Sequence, residues 1–596
     1  MKNSNQFLIA CMIIVVGITF YTLPLILNMD KGVLPDQKNF LSAIYFQYFL
    51  GGFYRFSIIS WHQFPLWNPF YEGGAFLFGH PVDLSCSPSS VFILLFGVIK
   101  GLAVSWYFMY VFGAISMYYL TRKVLKYDLY GAFYSTVVFT MCGFFPYMQV
   151  NGYLFARDML LLPLLLAFFI KAKYKNKYII YSALILAWLF TYSCFYFLIA
   201  VAFLGLFALF YAFQKEGAKF TFKRRYIVVF FCAVILCGIY SAGRLLPLLD
   251  FLRANSTPSN FTYEETISQA NTMSLLRKHL LDSLESGVGT AYVGYLPVIL
   301  SLTACTVFFK KLSRWVMILT IFILLSFGPN AFFDIHHLLW NLPIFHSMRE
   351  ISKYYVVIIV FIISITSGNF FSILKITNQN KTGKIIAIGL IAFTYGNLLW
   401  ANVGYFNAYN YKIRFWEPSE YIAQVKTVCM HQGDEGGALA LRLALFLKGY
   451  GLVNAPFFNQ YFDEQENTTP KYFAIPQYAF LMPSTKIYLF ENPAYLGEAY
   501  FSHEKNKVNY YSMAPTQIKI KVDLSKPDRL VINQKFSKHW MSNSGKVEKY
   551  MQKISIQLTR AGSYDIVIFF VNHLFYLGVA ISLLALLLTG YLLRFI

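Results

Sequence analysis

The chain has 596 residues, of which 57% are hydrophobic and only 13% are charged, and its mean hydropathy is +0.51. A soluble globular protein of this size does not need so much apolar surface, so the composition excludes that class and indicates a membrane protein. The net charge is +22, and its distribution along the chain decides between membrane orientation and nucleic-acid binding.

Apolar runs long enough to cross a bilayer recur along the chain. Those at 7–27, 178–213, 354–374 and 575–593 approach or exceed the roughly 20 residues that a helix needs to cross about 30 Å of hydrocarbon. The first run has no small-residue cleavage site after it, which predicts a retained helix rather than a signal peptide. We place twelve spans, at 7–28, 101–120, 131–148, 157–170, 178–192, 195–213, 226–244, 291–309, 315–328, 354–374, 385–402 and 573–593.

Lysine and arginine are concentrated in alternate short loops between these spans. Together with the two termini, those loops contain 20 basic and two acidic residues, whereas the rest of the chain has 30 basic and 26 acidic ones. Basic loops stay on the cytoplasmic side of a membrane. We therefore expect a multi-pass protein of the plasma (inner) membrane with both termini in the cytoplasm, in contact with membrane lipids and with no nucleic-acid partner.

The opposite loops are long and are expected outside the cytosol, at 29–100, 244–290, 329–353 and 403–572. In the first of them Asp36 follows the first span closely. The apolar residues after it share one face of a helix, which predicts a helix lying in the membrane interface; they are Phe40, Leu41, Ile44, Tyr45, Tyr48 and Phe49. An apolar stretch at 91–99 is too short to cross, so it is either re-entrant or an extension of the next helix.

The last external loop is long enough to be a domain. A helix is predicted at 418–428, because Glu417-Pro418-Ser419-Glu420 is a typical helix start. Apolar and polar residues then alternate at 516–524, 553–558 and 564–570, which indicates antiparallel strands with one solvated face. The predicted fold is a polytopic α-helical domain over 1–402, a mainly-β, sandwich-like extracytosolic domain over 403–572, and a final membrane helix over 573–596.

Several short motifs in this order resemble the bacterial YfhO-like membrane protein family of the GT-C glycosyltransferase superfamily. Asp36-Gln37 precedes the predicted interfacial helix, and further motifs span nearly the whole chain: PLWNPFYEGG at 65–74, CSPSSVFILLFG at 86–97, RDMLLLPLLL at 157–166, AYVGYLP at 291–297, REISKYY at 349–355 and QKFSKHW at 534–540. The chain departs from the family pattern in having fewer spans after REISKYY, and Lys538-His539-Trp540 where a Gly-Trp pair is expected.

The resemblance implies a transferase that takes a sugar from a polyprenyl-phosphate carrier and attaches it, with inversion, to an envelope glycan or teichoic-acid-like acceptor. Such a reaction needs one carboxylate to accept the proton of the acceptor hydroxyl. It also needs cations to stabilise the departing phosphate. The sequence indicates no certain cofactor: there is no DxD signature or metal-ligand spacing, although a divalent metal is compatible with it.

Asp36 is the first candidate for the base, because the resemblance implies an Asp just past the first helix; an ordinary loop-capping role is the alternative. Arg157 and Asp158 lie at the mouth of the fourth predicted span, where ionisable groups are costly, so they form either a site or a buried ion pair. The carboxylates held in reserve are Glu72 and Asp83, for which turn capping is the simpler role.

Arg349 and Lys353 are four residues apart, so they would share one helical face and could bind the lipid phosphate. The alternative is that both reach toward lipid headgroups. Arg244 and Arg157 are further candidates for the phosphate. Trp67 could stack on a sugar ring, although tryptophan is common at membrane interfaces in general.

Two other functions remain open from the sequence. One is a lipid or polysaccharide flippase or transporter, against which the spans show little charge at mid-depth and no half-to-half repeat. The other is a non-catalytic membrane protein of envelope assembly. Fold-level resemblance does not fix the chemistry.

Overall fold

The structure is a computed structural model. It describes residues 2–33, 43–71, 73–81, 83–216, 219–254, 263, 270–282, 291–342, 345, 348, 351–373, 381–411, 426–430, 450–452, 472–476, 487–491, 493, 495–503 and 505–594.

Nineteen α-helices are assigned in the described residues, and most are rich in apolar residues. They are α1 Lys2–Tyr21, α2 Leu23–Leu27, α3 Ala43–Ile59, α4 Val91–Phe96, α5 Val98–Tyr119, α6 Leu129–Thr140, α7 Phe144–Val150, α8 Leu162–Lys171, α9 Lys177–Tyr192, α10 Cys194–Ala212, α11 Arg225–Tyr240, α12 Ala242–Ala254, α13 Met273–Leu281, α14 Tyr295–Val307, α15 Phe309–Phe327, α16 Ile335–Trp340, α17 Ile351–Ile373, α18 Lys381–Asn407 and α19 His573–Leu592.

The strands lie mainly after α18. They are β1 Gly32–Val33, β2 Phe213–Glu216, β3 Lys219–Phe222, β4 Tyr409–Tyr411, β5 Lys426–Met430, β6 Tyr450–Leu452, β7 Tyr472–Pro476, β8 Ile487–Glu491, β9 Ala499–Phe501, β10 Lys507–Ala514, β11 Gln517–Leu524, β12 Asp528–Lys535, β13 Trp540–Ser542, β14 Val547–Tyr550, β15 Lys553–Leu558 and β16 Gly562–Phe570.

Seven helical segments in the described part of the chain are long and apolar enough to cross a membrane, and the count is eight if the bent pair α11 and α12 forms one span. All twelve predicted spans fall on helical segments, but twelve full-length spans are not confirmed. Two of the apolar helices are short, α9 with 16 residues and α14 with 13. The predicted span at 157–170 begins in a 3-10 helix, Leu154–Leu161, so only its second half is α-helical.

Helix α3 belongs to residues 29–100, which we call the first external loop after the side of the membrane predicted for it, and it does not lie on the protein surface. Ile44, Tyr48 and Phe49 are at most 2% exposed, and the Tyr48 hydroxyl accepts a hydrogen bond from the Val33 amide at 3.1 Å. The apolar face predicted to enter the membrane interface therefore packs into the protein over the described part of this helix. Neighbouring segments supply a more complete apolar environment than the interface does.

The apolar stretch at 91–99 is broken in two. Gly97 has φ +82 and separates α4 from α5. A Cβ at Gly101 would lie 2.4 Å from the Phe92 carbonyl oxygen, so α4 folds back closely against the start of α5. The segment is thus neither a simple extension of the next helix nor a span of its own.

The predicted helix at 418–428 does not reach its expected end, because Lys426–Met430 is strand β5; 412–425 lies outside the described residues. Strand β5 pairs in parallel with β6 and β7, and β7 pairs antiparallel with β8. The sequence analysis did not predict this mixed four-stranded sheet.

Two antiparallel four-stranded sheets follow, in the orders β10-β11-β16-β13 and β14-β15-β12-β9. The three strands predicted from alternation are present as β11, β15 and β16. In β11 the residues Ile518, Ile520 and Val522 are buried, while the lysines between them are exposed. This pattern confirms a C-terminal β-sheet region with one solvated face, here called the C-terminal sandwich (residues 495–572).

The C-terminal sandwich packs on the first external loop. Trp67 lies between Trp540 and Phe570, with ring centroids 5.3 Å from each. The Trp67 indole donates to Gln534 Oε1 at 3.3 Å, and the Lys535 amide donates to the Gly73 carbonyl at 2.9 Å. Two parts of the chain more than 450 residues apart in sequence therefore form one contact region.

Candidate functional site

Six of the nine candidate residues lie in the described part of the chain. Asp36, Glu72 and Arg349 lie outside it. The remaining candidates are Trp67, Asp83, Arg157, Asp158, Arg244 and Lys353, and all of them except Lys353 are buried.

Arg157 is the centre of a buried polar network. It lies in the 3-10 helix before α8, is 2% exposed, and its Nε donates to Asp158 Oδ1 at 2.9 Å. Its Nη1 donates to Ser105 Oγ of α5 at 2.8 Å, and Nη2 donates to the hydroxyls of Ser87 and Ser89 in the first external loop. Arg157 therefore joins the first external loop to the helical bundle.

Asp158 is fully buried, and one of its oxygens is paired with Arg157. A carboxylate whose charge is already balanced by an adjacent guanidinium is a weaker base toward an incoming sugar hydroxyl than an unpaired one. Of the two readings left open by the sequence, the geometry favours the buried ion pair.

Asp83 lies in the first external loop, only 5% exposed, and accepts hydrogen bonds from the Ser85 amide at 3.1 Å and the Ser85 hydroxyl at 3.0 Å. Burial raises its pKa to about 6, while the nearby charge of Arg244 and the Ser85 hydrogen bonds act in the opposite direction. The ionisation of Asp83 therefore depends on the charge of Arg244.

Arg244 lies in the first turn of α12 and is 2% exposed. Its Nη2 donates to the His80 carbonyl, and its guanidinium lies over the Phe78 ring at 5.4 Å. Its Nε and Nη1 have no hydrogen-bond partner among the described residues. A guanidinium buried with unused donors is costly unless an anion or water meets them.

Asp83, Arg157 and Asp158 lie around Tyr192, and Arg244 is connected to this group through the effect of its charge on Asp83. Arg157 lies over the Tyr192 ring at 5.6 Å, and the charges of Arg157, Asp158 and Asp83 all act on the Tyr192 hydroxyl. The hydroxyl itself donates to Gln47 Oε1 at 3.1 Å. We call Asp83, Arg157, Asp158 and Arg244 the buried charge cluster.

Lys353 lies in the first turn of α17, beside two tyrosines. Its Nζ is 5.1 Å from the ring centroid of Tyr153 and 5.8 Å from that of Tyr147. The Tyr196 hydroxyl donates to the Lys353 carbonyl at 3.4 Å. The lysine is half-buried, so its ammonium lies at an aromatic boundary rather than in the buried charge cluster.

The chain that leads to Asp36 is anchored close to these tyrosines. Val33 in β1 pairs with Tyr409 in β4, and the Tyr409 hydroxyl accepts a hydrogen bond from Gln149 Nε2 at 2.7 Å. Gln149 and Tyr147 both belong to α7. The last described residue before Asp36 is therefore fixed beside the helix whose tyrosine contacts Lys353.

Trp67 is only 2% exposed, and its ring is packed against Trp540 and Phe570. This packing leaves no face for a sugar. Its indole and rings instead hold the C-terminal sandwich against the first external loop.

The sequence analysis missed a second polar cluster, centred on Asp250 in α12. Its carboxylate accepts from Lys538 Nζ at 2.7 Å and from Asn572 Nδ2 at 3.2 Å, and it is 2.6 Å from His539 Nε2. A buried carboxylate without partners would be costly, and Lys538 and His539 offset that cost here. The partners are separated from Asp250 by 288–322 residues, so only the unusual Lys538-His539 pair in QKFSKHW gave any signal.

Among the described residues, no three His, Cys, Asp or Glu side chains are grouped as metal ligands.

No family model matches the sequence, and no curated protein matches it. Two solved structures similar to this chain are the arabinofuranosyltransferase AftD from Mycobacteria, with 12% identity and a TM-score of 0.44, and a mutant of the same enzyme, with 11% identity and a TM-score of 0.41. The alignments cover 77% and 72% of this chain, and they span 31% of the AftD chain in each case. At this level of similarity, the function has to be argued from the chain's own residues.

Proposed function

We propose that the protein is a GT-C-type glycosyltransferase that moves a sugar from a polyprenyl-phosphate carrier to a cell-envelope acceptor, with inversion, on the extracytosolic face. The observation that carries the proposal is Arg244, a buried guanidinium with two nitrogens that no described residue engages. A phosphate monoester or diester supplies the charge and the oxygen acceptors that such a group lacks.

The proposed reaction is a displacement at the anomeric carbon. The acceptor oxygen forms the new bond to this carbon from one face while the bond to the carrier phosphate oxygen breaks on the other. The carrier phosphate leaves with the bonding electron pair, and Arg244 stabilises the charge that it gains. The hydroxyl proton passes to a carboxylate, and the products are the glycosylated acceptor and polyprenyl phosphate.

Asp36 is the proposed base. It follows Val33 by three residues, and three residues of chain span at most about 11 Å. Val33 is anchored beside α7 and hence near Lys353. Asp158, the other candidate, is already paired with Arg157. The proposal therefore assigns the base to Asp36 and an architectural role to the Arg157–Asp158 pair.

Lys353 and Arg349 are proposed to contact the carrier phosphate from the side of α17, with Arg244 on the side of α12. Lys353 offers a mobile point charge, while Arg244 offers a planar pair of donors. The support for Lys353 is its position in the first turn of α17, half-buried beside the rings of Tyr147 and Tyr153.

The deciding experiment gives the purified protein a polyprenyl-phosphate sugar and an envelope-glycan acceptor and measures released polyprenyl phosphate. Arg244→Ala should weaken donor binding by about 1.5–3 kcal/mol, the scale of a hydrogen bond to a charged group, and Arg244→Lys should restore only part of it. Arg529→Ala is the matched control, because Arg529 contacts Gln557 and Tyr550 on the C-terminal sandwich. It should bind donor like the parent.

Asp36→Asn tests the base separately. It keeps the side-chain shape, so donor binding should persist while turnover falls by about 10²–10⁴. Near-normal turnover in a folded Asp36→Asn protein would remove Asp36 from this role. Transbilayer movement of an intact donor, with no polyprenyl phosphate released, would instead favour the flippase.

A further inference from the structure

Helix α12 carries both a residue of the buried charge cluster and the centre of the second polar cluster. Arg244 and Asp250 are six residues apart, which corresponds to about 9 Å along a helix axis. Arg244 contacts the first external loop through the His80 carbonyl. Asp250 contacts the C-terminal sandwich through Lys538 and His539. A shift of this helix would therefore move both groups.

Asp250 has partners in two different parts of the chain. Lys538 and His539 lie between β12 and β13 of the sandwich, whereas Asn572 is the N-cap of the membrane helix α19. The Asp250 side chain is 6% exposed and the His539 side chain 13%. The His539 contact is therefore largely shielded from water, and a charge-assisted hydrogen bond of this kind is stronger than an exposed one.

The rest of α12 has little freedom to move independently of its neighbours. A Cβ at Gly578 of α19 would lie 2.3 Å from the Ala242 carbonyl oxygen, and the Gly243 amide donates to Ser582 Oγ at 3.1 Å. On the other side, a Cβ at Gly79 would lie 2.5 Å from Phe251 Cβ. The first external loop, α12 and α19 are thus in close contact, and interfaces packed this closely resist continuous deformation.

We propose that Asp250 is a positioning residue through which the C-terminal sandwich holds α12, and with it the Arg244 guanidinium, in the arrangement that binds the carrier phosphate. The inference rests on the proposed function for the role of Arg244. The mechanical part, that the sandwich fixes α12, stands on the contacts alone. It gives the C-terminal sandwich a role in donor binding although its own residues do not touch the donor.

The mechanical part is tested by hydrogen exchange of the full-length protein in detergent, followed in peptides that cover 242–254. His539→Ala removes one Asp250 partner and should raise exchange in these peptides by about 5-fold or more, the scale of a modest coupling free energy. His539→Gln retains a side-chain donor and should restore most of the protection. The matched control is Lys521→Ala, because Lys521 pairs with Asp565 at 3.8 Å on the exposed side of the same sandwich. It should leave 242–254 unchanged.

The link to Arg244 is tested by a double-mutant cycle on donor binding. Asp250→Ala alone should weaken binding of a polyprenyl-phosphate sugar by about 5-fold or more, and it should have no further effect in an Arg244→Ala background. If Asp250→Ala does not purify as a folded protein, Asp250→Asn takes its place, since it keeps the shape and loses the charge.

Unchanged exchange at 242–254 in His539→Ala would overturn the mechanical part. Fully additive losses in the cycle would overturn the action of Asp250 through Arg244. A protein that binds no polyprenyl-phosphate sugar but still shows the exchange difference would contradict the proposed function, and the positioning of α12 by the sandwich would stand.

Discussion

Replacing Arg157 by leucine tests whether the buried charge cluster is held together by charge. The substitution removes the 2.9 Å ion pair to Asp158 and the hydrogen bonds to three serine hydroxyls, and it leaves the Asp158 carboxylate at 0% exposure. Breaking one side of a buried pair costs about 3–5 kcal/mol, because the remaining charge has lost its partner in a medium of low polarity. Arg157→Leu should therefore reduce the free energy of unfolding by about that amount.

The double variant Arg157→Leu with Asp158→Leu removes both charges. Its free energy of unfolding should return most of the way to that of the parent, because two apolar side chains of similar size replace the ion pair and no unpaired charge remains buried. Thermal unfolding in detergent, followed by tryptophan fluorescence, ranks the variants by stability. Lys521→Ala is the control: its partner Asp565 is 3.8 Å away and both side chains are more than 60% exposed, so it should cost no more than about 1 kcal/mol.

A double variant as unstable as Arg157→Leu would refute this reasoning. It would mean that the serine hydroxyls, which lose their donor in both variants, account for the destabilisation. The hydrogen bonds to Ser105 and the first external loop would then be the main contribution of Arg157. Each such bond is worth about 0.5–1.5 kcal/mol when both partners are neutral and more when one is charged.

Three further predictions concern pH, packing and topology. Burial raises the pKa of Asp83 to about 6, so the folded protein holds this proton more tightly than the unfolded chain does. Proton binding therefore contributes up to about 3 kcal/mol of stability, which is fully present below about pH 4 and is lost as the pH rises through 6. Asp83→Asn should flatten that part of a profile of melting temperature against pH. Gly368→Ala should destabilise the protein by about 1–3 kcal/mol, since its Cβ would lie 1.9 Å from Ser135 Oγ. Gly389→Ala, whose Cβ would meet no atom of the described residues within 4 Å, should be neutral or stabilising by up to about 1 kcal/mol in the same melting assay. Reporter fusions after Lys177 and after Asn467 should report opposite sides of the membrane, and the same side for both would overturn the assigned topology.

Local patterns were sufficient for most of the regular structure. The apolar runs predicted helical segments at all twelve positions, and alternation predicted β11, β15 and β16. The prediction failed where the apolar pattern was correct but distant parts of the chain determined what the apolar face packs against. The face of α3 is apolar as expected, yet Tyr48 and Phe49 are buried in the protein rather than in the membrane interface.

The same error is expected for any apolar helix of a membrane protein. Helices α17 and α19 are similarly apolar, but most of α17 is buried in the protein while most of α19 is exposed on its outer surface. Lipid tails are as apolar as a protein core, so hydrophobicity cannot distinguish a lipid-facing side chain from an internal one. Only helix packing decides which faces meet.

The sequence by itself determined the membrane class, the helical segments and the solvated face of the C-terminal strands, because each depends on residues close together in the chain. It also singled out Arg157 and Asp158, since adjacent charges in an apolar run are conspicuous. Tertiary structure alone decided that Arg157 pairs with Asp158, that Arg244 has unused donors, and that Asp250 meets residues 288–322 positions away. Those outcomes depend on which distant segments share a low-polarity interior, where a charge without a partner is costly and a paired one is kept.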